Sequence, residues 1–385
     1  MGVKFVEPVP AFERMRHEAV AAARVIYHGP GRAAYRRKLA TLPAPATDGI
    51  CVNFGWIEPP VRAEEVRIGG GVKLAHLRER FGETAEGFNV LYLVSSLLHL
   101  VPQVEELVAW AKRRGVAVVW NQNGVAYPAW CGAGYPWFNE PMRRLIAQAD
   151  HVVYQSAFCR DCADRYLGPS AGPAEVLWNP VDLARFTPAA EMPPTNVWEL
   201  LAMGTNHAFY RVKASLDALA ALVRRGVSVR LTIAGEFRWE GGDAEVSGYL
   251  AATGLRDHVR LRPRFTQDEA PGLYRGAHVL LHPKYKDPCP TVPIEAMACG
   301  VPVIGSHSGG MPELVVGEAG RLIEVPDDWT RDHAPDAERV ADAVIEIMRQ
   351  PAEFGRAARE RARGAFDRER WVDRHAEIFT ELLAR

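Results

Sequence analysis

From about residue 48 onward, short runs of β-branched and apolar residues alternate with stretches whose apolar positions recur every three or four residues. Consecutive apolar runs suit strands covered on both faces, and the 3.6-residue pattern suits helices that cover them. The runs predict strands at Ile50–Phe54, Asn89–Val94, Val116–Trp120, His151–Tyr154 and Glu175–Leu177 in the first half of the chain. A second set is predicted at Glu199–Ala202, Val229–Ala234, Val259–Leu261, Val279–Leu281, Val301–Ile304 and Arg321–Val325. Strand and helix in alternation imply α/β architecture with parallel sheets and helices on both faces. A proline-rich stretch from Phe186 to Thr195 divides the two sets and reads as a linker over 186–196. The expectation is two doubly wound Rossmann-like domains, 48–185 and 197–367, facing across a cleft.

The flanks add two elements. Before Asp48, Phe12, Met15, Ala19, Ala22 and Ile26 recur at helical spacing, and His28-Gly-Pro-Gly31 stops that helix. Arg32, Arg36, Arg37 and Lys38 then give a basic second helix, so residues 1–47 read as a helical appendage. Its charge suits either an anionic lipid surface or acidic partner, or plain solvation. At the other end, Trp371, His375, Ile378, Phe379 and Leu382 form an amphipathic closing helix over 368–385.

Composition narrows the class. At 385 residues the chain suits two domains, and its 48% hydrophobic and 24% charged content is that of a globular protein. A formal net charge of -1 gives no electrostatic reason to expect nucleic acid. No apolar run reaches membrane-spanning length and no signal pattern opens the chain, so a cytoplasmic location is expected. Six cysteines are scattered, and the single close pair, Cys159 and Cys162, lacks the second pair or histidines of a zinc site.

The chemistry concentrates between Asp287 and Glu313. Asp287 and Glu295 stand eight positions apart across Pro288, Cys289, Pro290, Thr291, Val292 and Pro293 at the start of a short helix. A buried strand follows, then Gly309-Gly310 and a second helix start. Helix starts offer free backbone N–H groups to phosphate oxygens, and carboxylates beside them accept from sugar hydroxyls. The order Asp287, seven residues, Glu295, Ala-Met-Ala-x-Gly-x-Pro-Val-Ile and Gly-Gly-x-x-Glu resembles the donor-binding signature of retaining GT-B glycosyltransferases of family 4. The departure is Asp287, where that family carries Glu.

The resemblance implies roles by position. Glu295 would hold the donor ribose and Asp287 would face the transferred sugar, its carboxylate withdrawn by about 1.5 Å, one C–C bond. Cys289, Pro290, Thr291 and Val292 would complete the donor pocket, and Arg262 and Arg264 would flank the nucleobase. Gly70 and Gly71, in a glycine loop that opens a helix, would let backbone approach the donor phosphates. Lys213 and Arg211 open a helix after the strand Glu199–Ala202 and would neutralise the diphosphate. The family's usual Gly-Arg is Gly204-Thr205 here, which makes Lys213 the better match to the family's lysine. Asn121, Gln122 and Asn123 replace the family's histidine and, with His99, form the acceptor-side set.

The reaction implied is transfer of a sugar from a nucleoside diphosphate donor, UDP first and GDP second, to a carbohydrate, lipid-linked or small-molecule acceptor. No cofactor or metal is expected, since no Asp-x-Asp motif occurs. A sugar-nucleotide epimerase of the same architecture and a silent nucleotide-sugar-binding partner are the alternative readings.

Overall fold

The computed structural model describes residues 31–55, 69–98 and 102–385. The expected helix spanning Phe12 to Ile26, and His99, lie outside the described residues. Among these residues two parallel sheets form. The first takes β1 (Val52–Asn53), β2 (Val90–Val94), β3 (Ala117–Gln122), β4 (His151–Tyr154) and β5 (Ala174–Val176) in chain order. The second takes β6 (Trp198–Met203), β7 (Val229–Ala234), β8 (Val259–Arg262), β9 (Val279–His282), β10 (Val303–His307) and β11 (Gly320–Glu324). Its spatial order is β11-β10-β9-β6-β7-β8. Every β2 residue is buried, as expected where helices cover both faces.

Two strands depart from the apolar pattern. β3 runs on to Gln122, pairing Asn121 with Val153 and Gln122 with Tyr154, because partners inside the domain bond both side-chain oxygens, although among the described residues the Asn121 Nδ2 is left without one. β10 starts at Val303 rather than Val301, since the Val301 amide donates to Ala296 and closes a helix end, while Pro302 has no N–H to give.

Six helices matter for the site: α1 (Gly69–Phe81), α2 (Ala157–Tyr166), α3 (Phe209–Arg224), α4 (Thr291–Ala298), α5 (Met311–Leu314) and α6 (Arg368–Leu383). α6 returns to the first domain, where Trp371, Val372, Ile378 and Phe379 join Val52, Leu74 and Tyr92 in one core. His375 is fully buried there, bonded through Nε2 to the Tyr92 hydroxyl at 3.0 Å. The stretch 186–196 carries no helix or strand, but Phe186 is buried in the second domain's core against Tyr274. The basic helix over 31–40 packs on the first domain. Arg32 and Arg36 ion-pair there with Glu105 and Glu106 of the helix Pro102–Arg113. No helix among the described residues is long and apolar enough to cross a membrane.

Candidate functional site

In the second sheet the chain winds one way from β6 through β8 and the other way from β9 through β11. The β6/β9 boundary is therefore the topological switch point, where the loops beyond the strand ends diverge and leave a crevice. The loop after β6 leads into α3, and the loop after β9 carries the acidic motif into α4.

From the β9 side, Asp287 Oδ2 receives two partners, His282 Nε2 at 3.1 Å and Lys284 Nζ at 3.0 Å. Burial would push the Asp287 carboxyl up, but Lys284, His282 and Arg211 together hold it well below the usual carboxylate range. Asp287 is thus an ionised group already committed to two donors. Lys286, just before it, holds a left-handed backbone (φ 46°), a conformation costly for a residue with a Cβ.

From the β6 side comes Arg211, whose guanidinium donates to the Thr205 carbonyl at 2.9 Å and keeps a buried Nε without a partner. Lys213 does not join it. Its ammonium pairs with Asp217 at 2.6 Å and lies over the Tyr249 ring. Two residues of helix turn side chains by roughly 200°, so one cation of the pair faces the crevice and the other faces away. The expectation ranked Lys213 above Arg211, and the structure pairs Lys213 with Asp217 instead of placing it beside Arg211.

Next to this cluster opens a cavity of roughly 300 Å³ lined by Gly204, His207, Arg238, Thr291 and Glu295, with Val72 of the first domain opposite. α4 begins at Thr291 after Pro290, with no side-chain cap, so its first amides have no partner within the helix. Glu295, one turn further on, is buried and accepts from the Tyr274 hydroxyl at 2.8 Å. Burial pushes its carboxyl up to about 7, against the pull of Tyr274 and Arg185. Arg264 lines the cavity with Pro263 and Phe265, whereas Arg262 is turned into an ion pair with Glu269 at 2.6 Å. Loops this close leave no room for side chains: a Cβ on Gly235 (φ +126°) would lie 2.1 Å from the Gly204 carbonyl oxygen.

The first domain contributes a polar wall. Gly70 and Gly71 form the first turn of α1, beside Val72 at the cavity. Lys73 is buried, its ammonium bonded to Asn121 at 2.6 Å, Asn123 at 3.1 Å and Gln155 at 3.4 Å. Burial lowers that amine to about 8. Asn121 is therefore a buried partner of Lys73. Gln122 is also sealed in, accepting from Trp120 Nε1 and donating to the Gly124 carbonyl. Of the three amides only Asn123 stays half-exposed, its Nδ2 on Ser96 Oγ at 2.9 Å. The strand extension that buries Asn121 and Gln122 removes them from an open acceptor face. Lys73 carried no signal in the sequence beyond its nearness to the glycine loop.

The end of the motif joins the domains. Glu313 accepts from the amides of Ala157 and Phe158, each at 2.8 Å, and from Trp178 Nε1 at 3.1 Å, so it caps α2 of the first domain. Gly310 donates to the Asp287 carbonyl, and a Cβ there would lie 2.0 Å from the Pro288 oxygen. The Gly-Gly turn therefore props the acidic loop, and α5 spans four residues. Cys289 is buried, and its carbonyl accepts from Asn179 across the domain boundary at 2.6 Å. A strap after β11 reaches over as well: Trp329 stacks on Phe158 and meets Tyr127 and Tyr166, with the Lys286 ammonium 3.9 Å above its ring. Among the described residues no group of three His, Cys, Asp or Glu side chains is arranged to hold a metal.

Two parallel-sheet domains that meet across a crevice, with a strand switch point in the second sheet, give the chain the GT-B fold. Residues 191–364 match the model of the family described as glycosyl transferases group 1. The D-inositol 3-phosphate glycosyltransferase of Mycobacteroides abscessus is 31% identical over 231 residues, which cover 58% of this chain and 50% of that protein. The glycogen synthase of Mycobacterium tuberculosis is 29% identical over 241 residues, 61% of this chain and 55% of its own. The chain spans about half the length of these curated relatives. Among solved structures, sucrose-phosphate synthase of Thermosynechococcus elongatus superposes with a TM-score of 0.61 at 20% identity, covering 82% of this chain and 77% of that one. Anabaena HepE, solved in complex with UDP-glucose, gives a TM-score of 0.63 at 16% identity, covering 81% and 82%.

Proposed function

We propose that the protein is a glycosyltransferase of the retaining GT-B family 4 type, moving a sugar from a nucleoside diphosphate donor to an acceptor hydroxyl. The observation that carries this reading is the crevice at the β6/β9 switch point. There the uncapped α4 start and the buried Glu295 line one cavity, with the buried Arg211 and Asp287 beside it. In this reading Glu295 accepts from the ribose hydroxyls, Pro263, Arg264 and Phe265 flank the base, and the Thr291 and Val292 amides meet the phosphates. Asp287 faces the sugar, and Asn123 stands on the acceptor side with Gly70 and Gly71 behind the donor. UDP is the first candidate donor nucleotide and GDP the second.

The sugar C1–O bond to the phosphate breaks as the acceptor oxygen bonds C1 from the same face. The acceptor proton passes to the departing phosphate oxygen. Charge grows on that oxygen in the transition state, where a preorganised cation and helix-end amides stabilise it. These groups would do without a divalent metal. Adding EDTA then leaves turnover unchanged.

A thermal-shift screen against nucleoside diphosphates and their sugars tests the reading, because a ligand bound only by the folded state raises Tm by mass action. A shift with UDP or GDP, and release of the nucleotide from its sugar by the purified protein, is the expected result. No shift with any nucleotide would sink the reading.

A further inference from the structure

The crevice holds a second cation that the acidic motif did not announce. Lys284 follows β9 and so stands at the switch point, across from Arg211 on the β6 side. Its side chain is 37% exposed, and among the described residues it makes one ion pair, to Asp287 Oδ2 at 3.0 Å. His282 Nε2 reaches that same oxygen at 3.1 Å, so Asp287 does not depend on Lys284 alone. An ammonium has three donors, and one contact leaves two for a ligand. With Lys213 held by Asp217 on the far side of α3, the helix after β6 brings one cation, Arg211, to the crevice.

Neighbouring charges fit the same picture. His207 and Arg238 line the cavity, and the His207 imidazole is lowered first by burial and then by Lys284, Arg211 and Arg238. Asp332 approaches from the strap. Burial pushes its carboxyl up, while Lys284, His333 and Arg211 pull it down. Glu295 sits a turn into α4, at the ribose end in the reading above, whereas Asp287 and Lys284 precede the helix, at the sugar end.

We infer that Lys284 binds the sugar-proximal β-phosphate of the donor, pairing from the β9 side with Arg211 from the β6 side, and so steadies the leaving group. This rests on the proposed nucleoside diphosphate donor. A charge-assisted bond of this kind is worth about a tenfold to hundredfold in affinity. The test is calorimetric titration of UDP and UMP (GDP and GMP if the screen selects guanosine) into wild type, K284M, K284R and D287N.

K284M is expected to lose about tenfold or more for the diphosphate and little for the monophosphate, with K284R recovering part of the loss. D287N, which removes a negative charge beside the phosphate and frees Lys284, is expected to bind the diphosphate at least as tightly as wild type. Equal diphosphate affinity in folded K284M and wild type overturns the assignment, and so do equal losses in K284M and D287N, which would mean that Lys284 merely holds Asp287. K284Q gives the same readout where K284M fails to fold. If wild type binds no nucleoside diphosphate at all, the donor reading itself fails and takes this inference with it.

Discussion

Two residues apart on one helix, Arg211 and Lys213 look alike in the chain and face opposite ways in space. The Arg211 guanidinium is buried, and its unpaired Nε marks a group kept for function at some cost in stability. R211M is therefore expected to lower kcat for donor turnover by about a hundredfold or more, the scale of one preorganised charge-stabilising donor. K213M, losing a partly exposed pair with Asp217, should stay within a few-fold of wild type in the same steady-state assay. Glu295 carries a pH signature. Its folded carboxyl holds its proton up to about 7, against an ordinary 4.5, because of burial. Between those values the folded state binds more protons than the unfolded one, so this group's contribution falls as pH rises through that window. At about 1.4 kcal/mol per unit, the loss is on the order of 2–4 kcal/mol. Denaturant unfolding of wild type and E295Q at pH 5 and pH 8 checks it: E295Q should gain on wild type at the higher pH.

Among the elements, α6 has to leave the second domain and pack on the first, and His375 at its centre ties it there. Burial lowers the imidazole to about 4, and the neutral ring is held between the Tyr92 hydroxyl and the Trp371 carbonyl. The unfolded chain takes up a proton near 6.5 and the folded chain only near 4, so stability is lost as pH falls between them. Melting curves from pH 7 to pH 4.5 should show wild type losing Tm over this interval. H375F should start lower and show a flatter dependence. α2 draws part of its cap from another domain: Ser156 accepts from Cys159, and Glu313 supplies a carboxylate to two further first-turn amides. Loss of those charge-assisted bonds costs about 2–3 kcal/mol in all. E313A should therefore unfold at lower denaturant and show earlier proteolytic cleavage around residues 155–160.

At the scale of the molecule, the switch-point crevice and the first-domain wall face each other only because the domains are clamped at several points. Glu313 caps α2, Asn179 holds the Cys289 carbonyl, and Trp329 seats among first-domain aromatics. Trp329 is the largest apolar part of this clamp, and truncating such an anchor typically costs about 2–4 kcal/mol at an interface. W329A is expected to open the cleft, read as a larger radius of gyration in X-ray scattering. A nucleoside diphosphate sugar should partly reverse the change. An unchanged radius would place the hinge elsewhere.

The order of apolar runs fixed two parallel-sheet domains, and the Asp287-to-Glu313 spacing marked the segment that enters the switch-point crevice, because both are local patterns that a chain writes in consecutive residues. Helix periodicity alone says that Arg211 and Lys213 cannot share a face, but only packing decided which one looks inward. Strand β3 took Asn121 and Gln122 into its length because Lys73, on α1, and Trp120, two residues back in the same strand, bond their side-chain oxygens. The same holds for Glu313 and Lys284. One reads in sequence as the tail of a motif and the other as an ordinary surface lysine. Their places at a domain joint and a strand switch point come from contacts between elements far apart in the chain, which no short-range pattern encodes.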